Sequence, residues 1–327
     1  MQLPDSVVKM VNINKARPPL VVILGPTAVG KTETSIQLAE RFNGEIVSAD
    51  SRLFYRGMDI GTAKPTPTEQ GRVPHHLIDV AEPDETWSLA QFQNAAQAAI
   101  AQIHQHERLP FIVGGTGQYI HAITQGWQIP EVAPNPLLRY VLEKWALEVT
   151  PAGLHDRLAV LDPQASKAID PRNVRRTIRA LEVILSTGKR FSSQRKLASS
   201  PYNILQLGLS RPRLELYARI DQRIQAMLQQ GFVEEVRRLL QRDYSPDLPT
   251  MSAIGYHEIC MFLLGKMSID EAILLMKRRT RVFVRRQSNW FKLDDPDIHW
   301  FQCGVQTLGE IEQTIQSWLN ERFISIT

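Results

Sequence analysis

Cysteine is almost missing from this chain: two residues in 327, Cys260 and Cys303, far apart and in no CxxC or Cys/His pattern. That removes a structural zinc site from the expectations. A reducing, cytoplasmic setting is the simple reading. No apolar run approaches the ~20 residues of a membrane span. The N-terminus carries Asp5 and no apolar stretch of signal-peptide length. Neither a membrane partner nor secretion is therefore expected. There is no internal repeat and no low-complexity tract, and residues 1–16 read as a polar, disordered lead-in. The length fits one large domain or two ordinary ones. Nothing calls for an obligate protein partner, so a monomer is expected.

What is present begins with Gly25-Pro26-Thr27-Ala28-Val29-Gly30-Lys31-Thr32, a phosphate-loop pattern without a mismatch. Before it, Leu20–Leu24 is an unbroken apolar run bounded by Pro18-Pro19, which reads as a buried strand. After it, Ile36, Leu38, Ala39 and Phe42 keep helical spacing up to Asn43-Gly44. A strand feeds a glycine loop that opens a helix. Backbone N–H groups and the helix N-terminus would wrap an anion, Lys31 would neutralise a phosphate, and the Thr32 hydroxyl would hold Mg²⁺. The pattern alone leaves open which phosphate ester is held.

Downstream, strand signals at 45–49 and 109–113 alternate with a helix over 86–104, and a strand over 202–209 returns to the same sheet. The alternation predicts an α/β, P-loop NTPase/kinase-like parallel sheet core. The Pro-rich stretch 126–136 and helical signals to Gly188, broken at Pro151, Pro163 and Pro171, predict a helical insertion over 126–200. The core is then 17–125 with 201–327. Its C-terminal part is mostly helix, at 213–230, 232–242, 252–264 and 268–291.

Ligands of such sheets sit at the carboxyl ends of the strands. Asp50 ends the second strand there, a carboxylate able to bind Mg²⁺ through water or to act as a general base; a turn cap is the bland reading. The strand ending in Gly114-Gly115-Thr116-Gly117 lacks the acid that nucleotide-hydrolysing phosphate-loop proteins use for Mg²⁺, and instead allows close backbone approach of a ligand. Asp79 remains a candidate for that acid, which keeps a small-molecule kinase using ATP in view. His75 and His76 are adjacent, face opposite sides of a strand, and read as structural. Arg219 and Arg223, one turn apart, would clamp a pyrophosphate, unless they pair with Asp221, Glu234 or Glu235.

Two basic clusters suggest a long phosphate backbone as partner. Arg172, Arg175, Arg176 and Arg179 are three or four apart and form one basic face; Lys189, Arg190, Arg195 and Lys196 extend the cluster, and Glu182 is its single acid. The other holds Lys277, Arg278, Arg279, Arg281, Arg285, Arg286 and Lys292 with no acid; Arg278, Arg281 and Arg285 share a face. Trp290 and Phe291 beside it would stack on a base or join the core.

Taken together the motifs resemble the bacterial-type tRNA dimethylallyltransferases. They are the phosphate loop, the run Ser48-Ala49-Asp50-Ser51-Arg52-Leu53-Phe54-Tyr55 through Asp59-Ile60-Gly61-Thr62-Ala63-Lys64-Pro65, Pro74-His75-His76-Leu77-Ile78-Asp79, Gly114–Tyr119, Arg179–Val183, Ile254-Gly255-Tyr256 and Arg286-Gln287. The resemblance runs from about residue 20 to 292, in the family's order. It implies transfer of a dimethylallyl group from dimethylallyl diphosphate to N6 of the adenosine just 3′ of the anticodon. It also implies that the phosphate loop holds the prenyl diphosphate rather than ATP, and that the insertion grips the anticodon stem-loop. By resemblance, Asp50 is the general base, and Lys31, Thr32 and Arg223 are diphosphate ligands and catalytic. Thr116 touches the substrate nucleotide. The segments Asp50-Ser51-Arg52-Leu53, Arg175-Arg176-Thr177-Ile178-Arg179 and Ser252-Ala253-Ile254-Gly255-Tyr256-His257 contact tRNA. Departures from the family's usual residues are Val29, Gln118, Ser252 and His257. The competing classes are the ATP-dependent kinase and a nucleotide-regulated RNA-binding module without turnover.

Overall fold

The computed structural model describes residues 17–130, 132–194 and 199–321. The expected lead-in over 1–16, and Arg195 and Lys196 of the first basic cluster, lie outside them. The strands are β1 Pro19–Leu24, β2 Gly44–Ser48, β3 His75–His76, β4 Leu109–Gly114, β5 Asn203–Ser210 and β6 Ile298–Gln302. The helices are α1 Lys31–Arg41, α2 Pro67–Arg72, α3 Leu89–Gln105, α4 Gly117–Thr124, α5 Pro136–Leu161, α6 Pro163–Ala168, α7 Val174–Thr187, α8 Phe191–Gln194, α9 Arg213–Gln229, α10 Phe232–Gln241, α11 Tyr256–Leu263, α12 Ile269–Gln287 and α13 Thr307–Leu319.

Two compact units result, one of residues up to 124 and from 201, the other of Gln125–Ser200. The first carries a six-stranded sheet in the order β3-β2-β4-β1-β5-β6, with every pairing parallel. β1 is central, paired with β4 and β5 and fully buried, which is why its sequence is uniformly apolar instead of alternating. α1 packs against β1, β2 and β4 and touches α13, while α3 and α4 pack together, α3 also on β2 and β4. Register places Leu24 beside Gly114 and Gly208, and Ser48 beside Val113. The carboxyl ends of four strands thus meet just below the phosphate loop, where a parallel sheet binds its ligand.

Between β2 and α2 the chain makes successive turns with no regular element of its own beyond an isolated bridge from Tyr55 to Ala81. Three anchors fix this loop. Phe54 is buried against Trp87, Phe92 and Tyr119. Lys64 is buried and its Nζ meets Tyr55 O at 2.9 Å and the carboxylates of Asp59 and Asp79 at 2.5 Å each. The buried Glu235 on α10 accepts the amides of Asp59 (3.0 Å), Ile60 (2.7 Å) and Gly61 (3.2 Å), and the Tyr256 hydroxyl (2.6 Å). A carboxylate buried with four donors is satisfied, whereas one buried without them would cost several kcal/mol. His76 settles as structural, its Nε2 at 2.6 Å from the buried Glu45, which also takes Arg108 at 2.9 Å.

The second unit has its own core, built from Leu142, Leu154, Leu158, Ile178, Leu181 and Val183 among others. α5 is kinked at Thr150 (φ 67°), where Pro151 cannot supply an amide to the helix. α7 begins at the Asn173 cap and stops at Gly188 in the left-handed region, as its sequence signals indicate.

Several expectations about elements need correction. The C-terminal part, mostly helix as expected, also holds a strand the sequence reading missed: Ile298–Gln302 forms the edge strand β6, in which only Ile298 is buried. α11 starts at Tyr256 rather than 252, because Gly255 (φ 97°) breaks the backbone before it. α12 ends at Gln287, not 291, so Trp290 and Phe291 fall in the following turn.

Candidate active site

Two cavities open at the carboxyl edge of the sheet. The first, about 510 Å³, is lined by the phosphate loop through Thr27, Ala28, Gly30, Lys31 and Thr32, and also by Ser48, His75 and Arg219. The second, about 470 Å³, is lined by Ser51, Arg52, Thr116, Ser252, Tyr256, Arg286, Gln287 and Trp290, with an apolar wall of Ile220, Ile224 and Met227 on α9 and Met276 and Phe283 on α12. Four residues line both: Thr27, Asp50, Thr62 and Arg223. Whatever is held in one cavity meets the contents of the other beside Asp50.

The first cavity is built for an anion. Lys31 Nζ is turned back onto the carbonyls of Gly25 (3.0 Å) and Pro26 (2.9 Å). Desolvation pushes its ammonium down to about 8, partly countered by Asp50 and reinforced by Arg223. Burial likewise lowers the Arg223 guanidinium, again opposed by Asp50. Two desolvated cations converging on one carboxylate leave positive charge uncompensated, which an anionic ligand would balance. Thr32 and Asp50 line this cavity and carry oxygens of the kind that Mg²⁺ takes alongside phosphate oxygens and water, so the lining fits that ion. No group of three or more His, Cys, Asp or Glu able to cage a metal occurs among the described residues.

One pH effect follows from Lys31. Above about pH 8 its amine is largely neutral in the ligand-free protein. A bound diphosphate favours the ammonium and raises that value. Binding of a diphosphate monoester at pH 9, where the ester is already fully ionised, should therefore take up a proton, approaching about one per site. Calorimetry in buffers of different ionisation enthalpy reads this; zero uptake at pH 9 would remove Lys31 from the anion site.

The arginines on α9 divide. Arg223 lines both cavities and donates to Thr62 O at 3.2 Å. Arg219 lines only the phosphate side, and its Nε donates to Ala28 O at 2.8 Å. It braces the loop where Ala28 adopts a positive φ of 67°. The alternative pairing with Asp221 does not occur: that carboxylate is taken by Arg281 at 2.7 and 2.9 Å. Val29 is fully buried and points into the core, so its size leaves the cavity unchanged.

Asp50 behaves as a turn residue as well, its Oδ1 accepting the Arg52 amide at 3.0 Å. That bond fixes the carboxylate's direction and leaves a second oxygen able to take a proton. Asp79 cannot serve as the Mg²⁺ acid of a kinase, because it is bound to Lys64 and lines neither cavity. The glycines at 115 and 117 also need a different reason from ligand approach. A Cβ on Gly115 would fall 2.3 Å from Gln287 Nε2, and one on Gly117 would fall 2.2 Å from Trp290 Cγ. The close approach is made by the protein's own side chains. Sequence reasoning gave no role to Thr62 or Gln287; only the tertiary contacts place them here.

Of the segments expected to contact RNA, Ser51, Arg52 and Thr116 line the second cavity, while Leu53 lines the first. Ser252, Ala253, Ile254 and Tyr256 line the second as well; Gly255 and His257 line neither cavity. Tyr256 is fully buried, with its hydroxyl spent on Glu235. Of Arg175–Arg179 on α7, only Arg175 and Arg176 are exposed. Thr177 and Ile178 are buried core positions, and Arg179 is drawn to the buried Glu182 at 2.6 Å. Burial alone would raise the Glu182 carboxyl, but Arg139, Arg179 and the Asn135 amide hold it below its ordinary value. On α12, Arg281 is likewise removed from the basic face by Asp221 and the Tyr217 ring, while Arg278 and Arg285 remain exposed. Trp290 is 40% exposed at the second cavity and Phe291 is buried, so the two aromatics split between site and core.

A family model described as IPP transferase matches residues 53–294. A tRNA dimethylallyltransferase of Roseiflexus sp. is 56% identical over 274 residues, 84% of this chain and 90% of that protein. The crystal structure of the full-length tRNA isopentenylpyrophosphate transferase of Bacillus halodurans superposes with a TM-score of 0.70 at 41% identity, covering 94% of this chain and 98% of that one. A eukaryotic dimethylallyltransferase captured acting on tRNA gives a TM-score of 0.78 at 27% identity, over 94% of this chain and 80% of that one.

Proposed function

Because the chain belongs to the IPP transferase family and is a tRNA dimethylallyltransferase, we propose that its first cavity holds the diphosphate of dimethylallyl diphosphate and its second the adenosine just 3′ of the anticodon. The observation that carries this is the sharing of Thr27, Asp50, Thr62 and Arg223 between the two cavities. It puts one carboxylate and one guanidinium where donor and acceptor must touch. The apolar wall from α9 and α12 suits a five-carbon prenyl tail, and Trp290 suits a base lifted out of its stack.

In this reading N6 of adenine attacks the allylic carbon. The N6–C1 bond forms as the C1–O bond to diphosphate breaks. An exocyclic amine conjugated to the ring is a poor nucleophile, so Asp50 takes its proton as the bond forms. Lys31, Arg223 and the loop amides neutralise the charge that gathers on the leaving diphosphate. Thr32 would hold Mg²⁺, which would supply further charge neutralisation there. Incubating the protein with labelled dimethylallyl diphosphate and anticodon stem-loop RNA should place the label in the RNA. Transfer of the γ-phosphate of ATP instead would favour a kinase, and RNA binding with no transfer would favour a non-catalytic module.

Each unit offers its own basic surface for the RNA backbone: Arg175 and Arg176 on α7, Arg278 and Arg285 on α12. Binding should weaken with salt at a log–log slope of about −0.7 to −0.9 per phosphate neutralised. Charge removal at either arginine pair should flatten that slope by about 1–2 units and leave the preference for the target adenosine unchanged, because backbone contacts position and base contacts specify. Titrations at several salt concentrations decide it. An unchanged slope in a double variant would return that pair to solvent.

A further inference from the structure

Of the α12 side chains that line the second cavity, Gln287 also touches the phosphate loop. Gln287, the last residue of α12, is 5% exposed and bridges two loops. Its Oε1 accepts the Thr27 amide of the phosphate loop at 2.9 Å, and its Nε2 donates to Gly115 O at 3.1 Å. The amide can face only one way: an N–H needs an acceptor and a carbonyl needs a donor, so the flipped orientation would lose both bonds. Thr27 lines both cavities, and Gly115 precedes Thr116 in the second. A Cβ at position 115 would fall 2.3 Å from Gln287 Nε2, so a side chain there would displace the glutamine amide. The neighbouring Arg286 lines the second cavity.

We propose that Gln287 is a positioning residue for the transfer step. It holds the donor loop and the acceptor loop at a single spacing, and so sets the distance between the adenine amine and the allylic carbon. The inference rests on the transferase reading above. Neither substrate needs to touch Gln287 for this to matter. A displacement of about 1 Å between bound reactants is enough to cost about 10²-fold in rate while leaving each reactant bound.

The test uses the full chain with Gln287→Ala and Gln287→Glu. Glutamate keeps the size and the acceptor for the Thr27 amide but sets an oxygen against Gly115 O. Three quantities are read: the single-turnover transfer rate at saturating dimethylallyl diphosphate and stem-loop RNA, the separate affinity for each of those two ligands, and the melting temperature. Both variants should transfer about 10–100-fold more slowly, with each affinity within about threefold of wild type. Raising either substrate should not restore the rate. A wild-type rate in either variant overturns the proposal, as does a loss confined to one affinity. Melting temperature separates misfolding from mispositioning, and the near-isosteric glutamate decides if alanine unfolds. Absence of transfer by the wild-type protein would instead overturn the transferase reading itself.

Discussion

Asparagine in place of Asp50 is expected to slow transfer by about 10²–10⁴-fold while leaving tRNA affinity close to wild type. The substitution is chosen for what it keeps. An amide oxygen can still accept the Arg52 amide, so the turn after β2 and the shape of both cavities should survive. It loses the ability to take a proton from N6. It also removes the negative charge that opposes the desolvation of Lys31 and Arg223, so diphosphate should bind as well or slightly better. A slow enzyme that binds both substrates normally is the signature of a group acting in the transition state. Single-turnover rates with preformed complexes measure it, and a variant within a few-fold of wild type would end the assignment of Asp50 as base.

Loss of the ammonium in Lys31→Ala should cost about 10²–10³-fold in transfer, by removing a charge aimed at the departing diphosphate. Donor affinity should fall too, because the lysine meets the diphosphate before and after bond breaking. The effect should therefore appear in both KM for the donor and kcat, unlike that of Asp50. The proton taken up with a diphosphate monoester at pH 9 should vanish in the same variant. RNA affinity should hold, since Lys31 lines only the phosphate-side cavity. Wild-type donor affinity in Lys31→Ala would mean that the loop amides and Arg223 hold the diphosphate unaided.

How far the chain could be read in advance depended on whether a feature is local. The phosphate loop, the helix it opens and Asp50 at the end of β2 are legible because strand, glycine turn and helix follow one another within one short segment. The kinked insertion was legible for the same reason, its Pro151 break and Gly188 stop being local backbone effects. Side-chain pairing across the fold was not. In the acid-free run 277–292, Arg278, Arg281 and Arg285 read as one shared basic face, yet Asp221, on another helix, removes Arg281 from it, and Glu258, buried on α11, pairs with Arg279 at 2.5 Å. Glu182 looked like a lone acid among arginines and is the buried centre that turns Arg179 inward. Gly115 and Gly117 signalled a close approach correctly, but sequence could not say that Gln287 and Trp290 make it. β6 was hidden because an edge strand carrying His and Gln has neither a continuous apolar run nor a clean alternation.

The central claim is that an amine in one cavity is alkylated by a diphosphate ester in the other, beside Asp50. Nuclease digestion and mass spectrometry of tRNA incubated with the protein and dimethylallyl diphosphate test it most directly. The account predicts one five-carbon group per modified tRNA, on N6 of the adenosine immediately 3′ of the anticodon, with inorganic pyrophosphate released in equal amount. A prenyl group on any other nucleotide, or on the ribose or phosphate of that one, would contradict it.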